Sequence, residues 1–298
     1  MRERPYLLFD VFTTERFAGN PLAIFPDGAD IGEVAMQQIA RELNLSETVF
    51  LTRTDGDTAA SLRIFTPARE VIFAGHPTVG TAIALVEVLC WLPKTAASFV
   101  LRERVGDVPI RIERDANGTT AWLQTPVITF SAPLDRAAVA RGVGVDASAL
   151  HDAFEPRIIT AGNPFLFVAL RDRASVDAVA LDEAVLRTLI DFDACNGVFV
   201  FAPVETGAYS RMLAPMSGIA EDPATGSATG PLGAYLADAG VLPLHDGAAF
   251  VSEQGVAMGR RSMIRGRLCV RDGTLATVEI GGNAILVGEG SMRLPESG

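Results

Sequence analysis

Residues 73–82 read Phe73-Ala-Gly-His-Pro-Thr-Val-Gly-Thr-Ala82, and residues 220–228 read Ala220-Glu-Asp-Pro-Ala-Thr-Gly-Ser-Ala228. Both contain Pro-x-x-Gly-Ser/Thr-Ala, and both run into a stretch with almost no charge: TAIALVEVLCWL over 81–92 and SATGPLGAYLADA over 227–239. A helix that is apolar all round belongs inside a protein. The pattern predicts two buried helices, Thr81–Leu92 and Ser227–Ala239, each starting at its own Pro-x-x-Gly turn. Pro231 is expected within a first turn, where its missing N–H has no intrahelical partner to lose. Two further echoes accompany this pair. Gly19-Asn-Pro21 leads into the apolar run Leu22–Phe25, and Gly162-Asn-Pro164 leads into Phe165–Leu170, 143 residues later. Arg63-Ile-Phe-Thr-Pro67 returns as Arg211-Met-Leu-Ala-Pro215 at an offset of 148, and the two helix turns are offset by 146. Three echoes in one order, at an offset near half the chain, indicate a duplicated domain. Two units are too few for a solenoid.

Outward from these helices the chain reads as many short strands. Leu7–Phe12, Thr48–Thr52, Ser61–Phe65, Val108–Glu113, Ala121–Gln124, Arg157–Thr160, Gly197–Phe201, Met263–Val270 and Ala276–Ile280 are β-rich, several alternating apolar and polar. Ile31–Leu43 reads as an amphipathic helix after Asp30 as N-cap, with Ile31, Val34, Ala35 and Ile39 on one side. Leu181–Ile190 is a shorter candidate. A chain of 298 residues is long enough for two modest domains with cores of their own. The expected class is α+β, with each domain a set of strands around one apolar helix. A pseudo-twofold pair would set the two helix N-termini across a cleft. Free N–H groups and partial positive charge there suit a carboxylate or phosphate.

The charge balance narrows the partners. With 25 basic and 36 acidic residues, the net charge of −11 argues against nucleic acid and against anionic membrane surfaces. No apolar run reaches the length of a spanning helix, and MRERPYLLFDVF lacks the features of a signal peptide. A soluble cytoplasmic protein is expected. Cys90, Cys195 and Cys269 form no C-x-x-C and leave an odd count, which predicts reduced thiols in core or near-core settings rather than zinc or disulfides.

The chemistry-bearing residues gather at the two turns. The first holds His76; the second holds Glu221 and Asp222, with Ser227 at the helix start. An imidazole and a carboxylate sharing one cleft can bind a substrate or move protons. Gly75 and Gly226 let backbone approach a ligand. The plainer readings are a turn histidine bonded to its own backbone and an Asp-Pro helix cap. Glu47, in Asn44-Leu-Ser-Glu-Thr-Val-Phe-Leu51, stands where a loop meets an apolar strand; partly desolvated, it could shuttle a proton, and the plain reading is an exposed glutamate after a helix. His151 and His245 lie outside any metal-like spacing, and no metal site is expected. No Gly-x-Ser-x-Gly elbow and no Walker or dinucleotide glycine fingerprint is present. Lys94 is the single lysine and sits in no motif, so Schiff-base chemistry is disfavoured. What remains is cofactor-free acid–base chemistry on a small, anionic molecule.

DVFTTERFAGNPLAIF, NLSETVFL, RIFTPAREVIFAGHPTVGTA and EDPATGSATGPLGAYL together resemble the PhzF family of phenazine-biosynthesis-type isomerases, from about Tyr6 to about Leu294. That resemblance implies a diaminopimelate epimerase-like fold: two pseudo-symmetric domains, 1–126 and 127–298, each a β-barrel-like sheet wrapped around a central apolar helix. A last strand near 284–295 would return to the first domain. It implies isomerisation of trans-2,3-dihydro-3-hydroxyanthranilate or a related acid, with a glutamate carrying a proton from ring carbon 3 to carbon 1. By motif match that glutamate is Glu47. His76 would be a binding and relay partner, with Asp222 in a related role. Asn20, Ser46, Gly75, Gly226 and Ser227 would bind substrate. No cofactor is implied, and a homodimer is. Epimerases of this fold carry a cysteine at each helix start; here those places read Ala-Gly-His and Glu-Asp-Pro, which disfavours two-thiol racemisation. The other readings are a non-catalytic small-molecule-binding or interaction protein that keeps the cleft, and a hydrolase or lyase using the same carboxylates.

Overall fold

The computed structural model describes residues 2–54, 58–116 and 118–294. The chain divides into two compact units, Met1–Gln124 with Gly281–Gly298, and Thr125–Ile280. Each is a mixed sheet around one buried helix.

In the first unit β1 (Arg2–Val11) runs antiparallel to β2 (Asn20–Phe25). The turn ahead of β2 requires glycine: Gly19 has φ +67°, and a Cβ there would stand 2.3 Å from the Val11 carbonyl oxygen. α1 (Glu33–Leu43) crosses over to β3 (Glu47–Thr52), which lies parallel to β2. β4 (Thr58–Phe65) pairs antiparallel with β3 and with the two-residue β5 (Glu70–Val71). α2 (Gly75–Glu87) follows, then β6 (Ser98–Glu103) parallel to β4, and the antiparallel pair β7 (Gly106–Asp115) and β8 (Gly118–Gln124). Residues 75–86 of α2 are all buried, against β1, β2, β3 and β8. Gly80 permits the approach, since a Cβ there would lie 2.6 Å from Leu22 Cδ2 and 2.7 Å from Val11 Cγ2.

The second unit repeats the plan. β9 (Thr129–Phe130), α3 (Arg136–Gly142) and β10 (Arg157–Ala161) open it, and β10 pairs antiparallel with β9 and with β11 (Asn163–Ala169). α4 (Arg173–Asp177) and α5 (Glu183–Leu189) lead to β12 (Val198–Val204), parallel to β11. β13 (Gly207–Ala214) pairs antiparallel with β12 and with β14 (Ile219–Asp222). α6 (Gly226–Asp238) precedes β15 (Ala249–Gln254), parallel to β13, and β16 (Ser262–Arg271), antiparallel to β15. β17 (Thr274–Gly282) ends it, and β18 (Ala284–Leu294) pairs antiparallel with β1 in the first unit.

The central strands read as continuous apolar runs because both of their faces are covered. Along β11, Leu166 and Val168 face an outer layer with Val139 of α3, Val176 of α4 and Leu186 of α5. The alternate residue Phe167 faces Tyr235 of α6, with ring centroids 6.2 Å apart and edge to face. In the first unit Met36, Ile39 and Ala40 of α1 cover Ala23, Phe25, Phe50 and Phe65. No described helix is long and apolar enough to cross a membrane.

Several local expectations are corrected. α2 begins at Gly75 rather than Thr81, with Pro77 as its third residue, where no helical hydrogen bond is lost; it ends at Glu87. Cys90 therefore lies beyond the helix, exposed and at φ +52°, not in the core; Cys195 is buried and Cys269 half-buried in β16. Pro231 is the sixth residue of α6, past the first turn, and it removes the N–H that would bond the Ser227 carbonyl. α1 is preceded by Gly32 instead of being capped by Asp30, whose carboxylate pairs with Arg4, and Val34 is exposed while Met36 is buried. The helix echo also shifts. Gly75 and Gly226 start two thirteen-residue helices 151 residues apart, against 146 for the Pro-x-x-Gly motifs.

Candidate active site

α3, α4 and α5 each start with an Asp whose carboxylate accepts a first-turn N–H: Asp135, Asp172 and Asp182. The two buried helices do not. The N-caps of α2 and α6 are Ala74 and Thr225, and neither side chain caps its helix. The first N–H groups of Gly75 and His76, and of Gly226 and Ser227, have no intrahelical acceptor. Together with the helix dipole they form two electropositive backbone surfaces.

In the first unit three element starts converge. β3 begins at Glu47, opposite Leu22 of the parallel strand β2. α2 supplies His76 as its second residue, and His76 Nδ1 lies 3.4 Å from Glu47 Oε2. The His76 side chain is 4% exposed and that of Glu47 19%. Burial pushes the imidazole down to about 3, with a backbone bond to Pro21 acting the other way. His76 is thus a neutral imidazole at physiological pH, and the Glu47 contact is dipole to carboxylate rather than an ion pair. Its Nε2 is buried without a hydrogen-bond partner among the described residues. Asn20 is fully buried at the start of β2; Ser46, partly buried, precedes Glu47; Gly75 is buried as the first residue of α2.

In the second unit Asp222 ends β14, 6% exposed, and accepts the Thr225 hydroxyl at 2.6 Å. It is not the helix cap. Glu221 belongs to a two-pronged pair with Arg211, Nε to Oε1 at 3.0 Å and Nη2 to Oε2 at 2.8 Å, which commits it to joining β13 and β14. Gly226 is buried and Ser227 partly so, as the first two residues of α6. Neither helix start carries a thiol; the places read Ala74-Gly-His and Thr225-Gly-Ser, the second shifted from the expected Glu-Asp-Pro.

Behind each helix start stands a buried polar group that the sequence motifs did not single out. Glu103, the last residue of β6, lies 2.5 Å from the Thr78 hydroxyl. Gln254, the last residue of β15, accepts the Thr225 N–H at 3.1 Å and donates to the Asp222 carbonyl at 2.7 Å. Only the 151-residue helix offset links the two, and the motif echo at 146 hides it.

The phenazine biosynthesis-like protein family, PhzC-PhzF, matches residues 9–290. The trans-2,3-dihydro-3-hydroxyanthranilate isomerase of Pseudomonas aeruginosa is 36% identical over 289 residues, covering 96% of this chain and 98% of its own. A PhzF-family protein of Bacillus anthracis superposes with a TM-score of 0.88 at 23% identity, over 98% of this chain and all of that one. A hydroxyproline epimerase from Agrobacterium vitis shares the fold alone, with a TM-score of 0.64 at 13% identity over 97% of this chain and 92% of that one. Two strand-wrapped helices on an epimerase-like plan, and this similarity along nearly the whole length, place the chain in the phenazine biosynthesis-like family, a family of isomerases.

Proposed function

We propose that this protein is a cofactor-independent isomerase that moves a proton on a small unsaturated carboxylic acid, with Glu47 as the acid–base residue. The observation that carries the proposal is the Glu47 carboxylate beside a buried, neutral imidazole at the uncapped start of a buried helix. A carboxylate there can take a proton from carbon. The electron pair left behind spreads over the conjugated acid, and the neutral carboxyl formed returns the proton to a different carbon. Nothing is gained or lost overall, so the product has the mass of the substrate. Backbone N–H groups at a helix start stabilise the spread charge without reorganising. His76, unable to hold a positive charge at neutral pH, orients Glu47 and does not compete for the proton. Asn20, Ser46 and Gly75, and by motif match Gly226 and Ser227, are assigned to substrate binding, and Asp222 is grouped by motif match with Glu47 and His76 as catalytic.

Trans-2,3-dihydro-3-hydroxyanthranilate is the first substrate to test. The expected result is loss of its absorbance with a product of unchanged mass, abolished in a folded Glu47→Gln variant. A product lighter or heavier by water would turn the reading to a lyase or hydrolase. No turnover of this compound or of a panel of small unsaturated acids, with equal ligand binding by wild type and variant, would leave a binding protein. The same proposal takes the active form as a cytoplasmic homodimer. Sedimentation equilibrium at twice the chain mass supports the dimer, and a monomer at working concentration removes it.

A further inference from the structure

Glu103 sits at the end of β6, 5% exposed, with its Oε2 buried and without a hydrogen-bond partner among the described residues. Its Oε1 is 2.5 Å from Thr78 Oγ1, and the same hydroxyl is 2.6 Å from the Ala74 carbonyl oxygen. A hydroxyl has one hydrogen. A carbonyl oxygen has none to give, so if Thr78 donates to Ala74, the short contact with Glu103 needs a hydrogen on the carboxyl group.

The second unit shows which way the Thr78 hydroxyl points. Thr229 occupies the same place in α6 as Thr78 in α2, and its hydroxyl donates to the Thr225 carbonyl, four residues back, at 3.0 Å. The second unit also shows what Glu103 corresponds to. Ser61, two residues before Arg63, pairs with Arg102 on the parallel strand β6; Tyr209, two residues before Arg211, pairs with Glu253 on the parallel strand β15. The next residues are Glu103 and Gln254. Gln254 is a neutral amide whose Nε2 donates to the Asp222 carbonyl at 2.7 Å and to Thr225 Oγ1 at 3.0 Å, and whose Oε1 accepts the N–H of the α6 N-cap. Glu103 likewise stands behind the α2 start, its Oε1 against the Thr78 hydroxyl that bonds the carbonyl of Ala74, the α2 N-cap. A protonated carboxyl has the donor and acceptor set of half an amide.

We propose that Glu103 is a positioning residue that works as a neutral carboxylic acid, donating to Thr78, whose own hydroxyl hydrogen goes to the Ala74 carbonyl, so that the α2 start carrying His76 is held as Gln254 holds the α6 start. Its effect on catalysis rests on the role given to Glu47 and His76 above; its protonation does not. Among the described residues, the titratable groups on the neighbouring elements are neutral or already paired. On α2, His76 is neutral; Glu70 of β5 is bound by Arg63 of β4 and by Arg104; Arg102 of β6 is bound by Asp107 of β7. Burial raises the Glu103 carboxyl from its ordinary 4.5 to about 8.

The test uses the full-length protein with Glu103→Gln, Glu103→Leu and Gln254→Glu. Infrared difference spectra of wild type against Glu103→Gln at neutral pH are expected to contain the carbonyl band of a protonated carboxylic acid, lost in alkali. A carboxylate band alone overturns the proposal. In denaturant unfolding, the wild-type unfolding constant is expected to rise about tenfold per pH unit relative to Glu103→Gln between 4.5 and about 8, and then level off. Parallel curves overturn it. Gln254→Glu is expected to add a like slope from the second unit. In turnover, Glu103→Leu is expected to lower kcat about tenfold or more, and Glu103→Gln to restore it and remove the fall in rate above pH 8. A Gln variant as inactive as Leu contradicts the positioning role. If no variant and no wild type turns over, the isomerase reading has failed while the infrared and unfolding results still decide the state of Glu103.

Discussion

β3 and β12 hold the same place in their units, each parallel to the strand that follows a Gly-Asn-Pro turn and antiparallel to the next. β3 begins with Glu47, partly exposed and in contact with His76; β12 begins with Val198, wholly buried. The helix starts differ in the same sense, Gly75-His76 against Gly226-Ser227. The frame behind them does not differ. Arg63 grips Glu70 with two hydrogen bonds as Arg211 grips Glu221, and Thr78 and Thr229 bond back to the fourth carbonyl before them. Between the two units the residues that shape the helix start match, while the residues proposed to meet a ligand differ. The contact of a carboxylate with an imidazole belongs to the first unit; at the matching place the second unit has Ser227, with Asp222 bonded to Thr225.

The largest effect expected of that asymmetry is in rate. Glu47→Gln should lower kcat by about 10³-fold or more with an unchanged circular dichroism spectrum, because the variant loses its proton carrier and keeps its shape. An equal loss in Ser227→Ala would break the comparison, since the second unit would then carry chemistry as well.

The pH dependence of stability comes next. Unfolded, His76 takes up a proton near its ordinary 6.5; folded, it resists until about 3. The unfolded state binds more protons between these values, so this contribution is full above 6.5 and is lost as pH falls, by about 1.4 kcal/mol per unit. Glu103 has the opposite sign: full below 4.5, lost as pH rises to about 8. Urea unfolding across pH should show the acid slope reduced in His76→Leu and the alkaline slope reduced in Glu103→Gln.

Breaking the matched ion pairs should give unequal costs. Arg211→Met leaves the largely buried Glu221 carboxylate without its arginine partner and removes bonds to the carbonyls of Val176, Asp177 and Val179, for about 3 kcal/mol. Arg63→Met leaves Glu70 with Arg104 at 2.9 Å, for about 1 kcal/mol. Chemical denaturation of both variants measures the difference, and equal costs would show that Arg104 does not substitute. The smallest effect is in binding. Ser227→Ala should raise KM by about threefold with kcat unchanged, the loss of one partly exposed hydrogen bond.

Much of this was legible because the sheet strands are long apolar runs and the two buried helices lack charge. Period and composition therefore located β1, β3, β4, β7, β12, β16 and β17, and the echoes revealed the duplication. The ends of α2 were not legible. Pro77 reads as a boundary, yet a first-turn proline loses no bond, and the stop near Cys90 is a backbone conformation without glycine. α3 and α4 are five to seven residues long, too short to show a period, although Asp135 and Asp172 mark their starts. Glu103 was hidden for a deeper reason. In Leu101-Arg-Glu-Arg104 it looks like one of a run of surface charges, and only the fold turns that position toward α2.

The most direct test of the central claim, that Glu47 carries a proton between carbons, is proton NMR of the protein with trans-2,3-dihydro-3-hydroxyanthranilate in heavy water. Wild type is expected to consume the substrate and place deuterium on a ring carbon of the product, and Glu47→Gln, folded, to do neither. Turnover by Glu47→Gln at the wild-type rate, with the same labelling, would contradict the account.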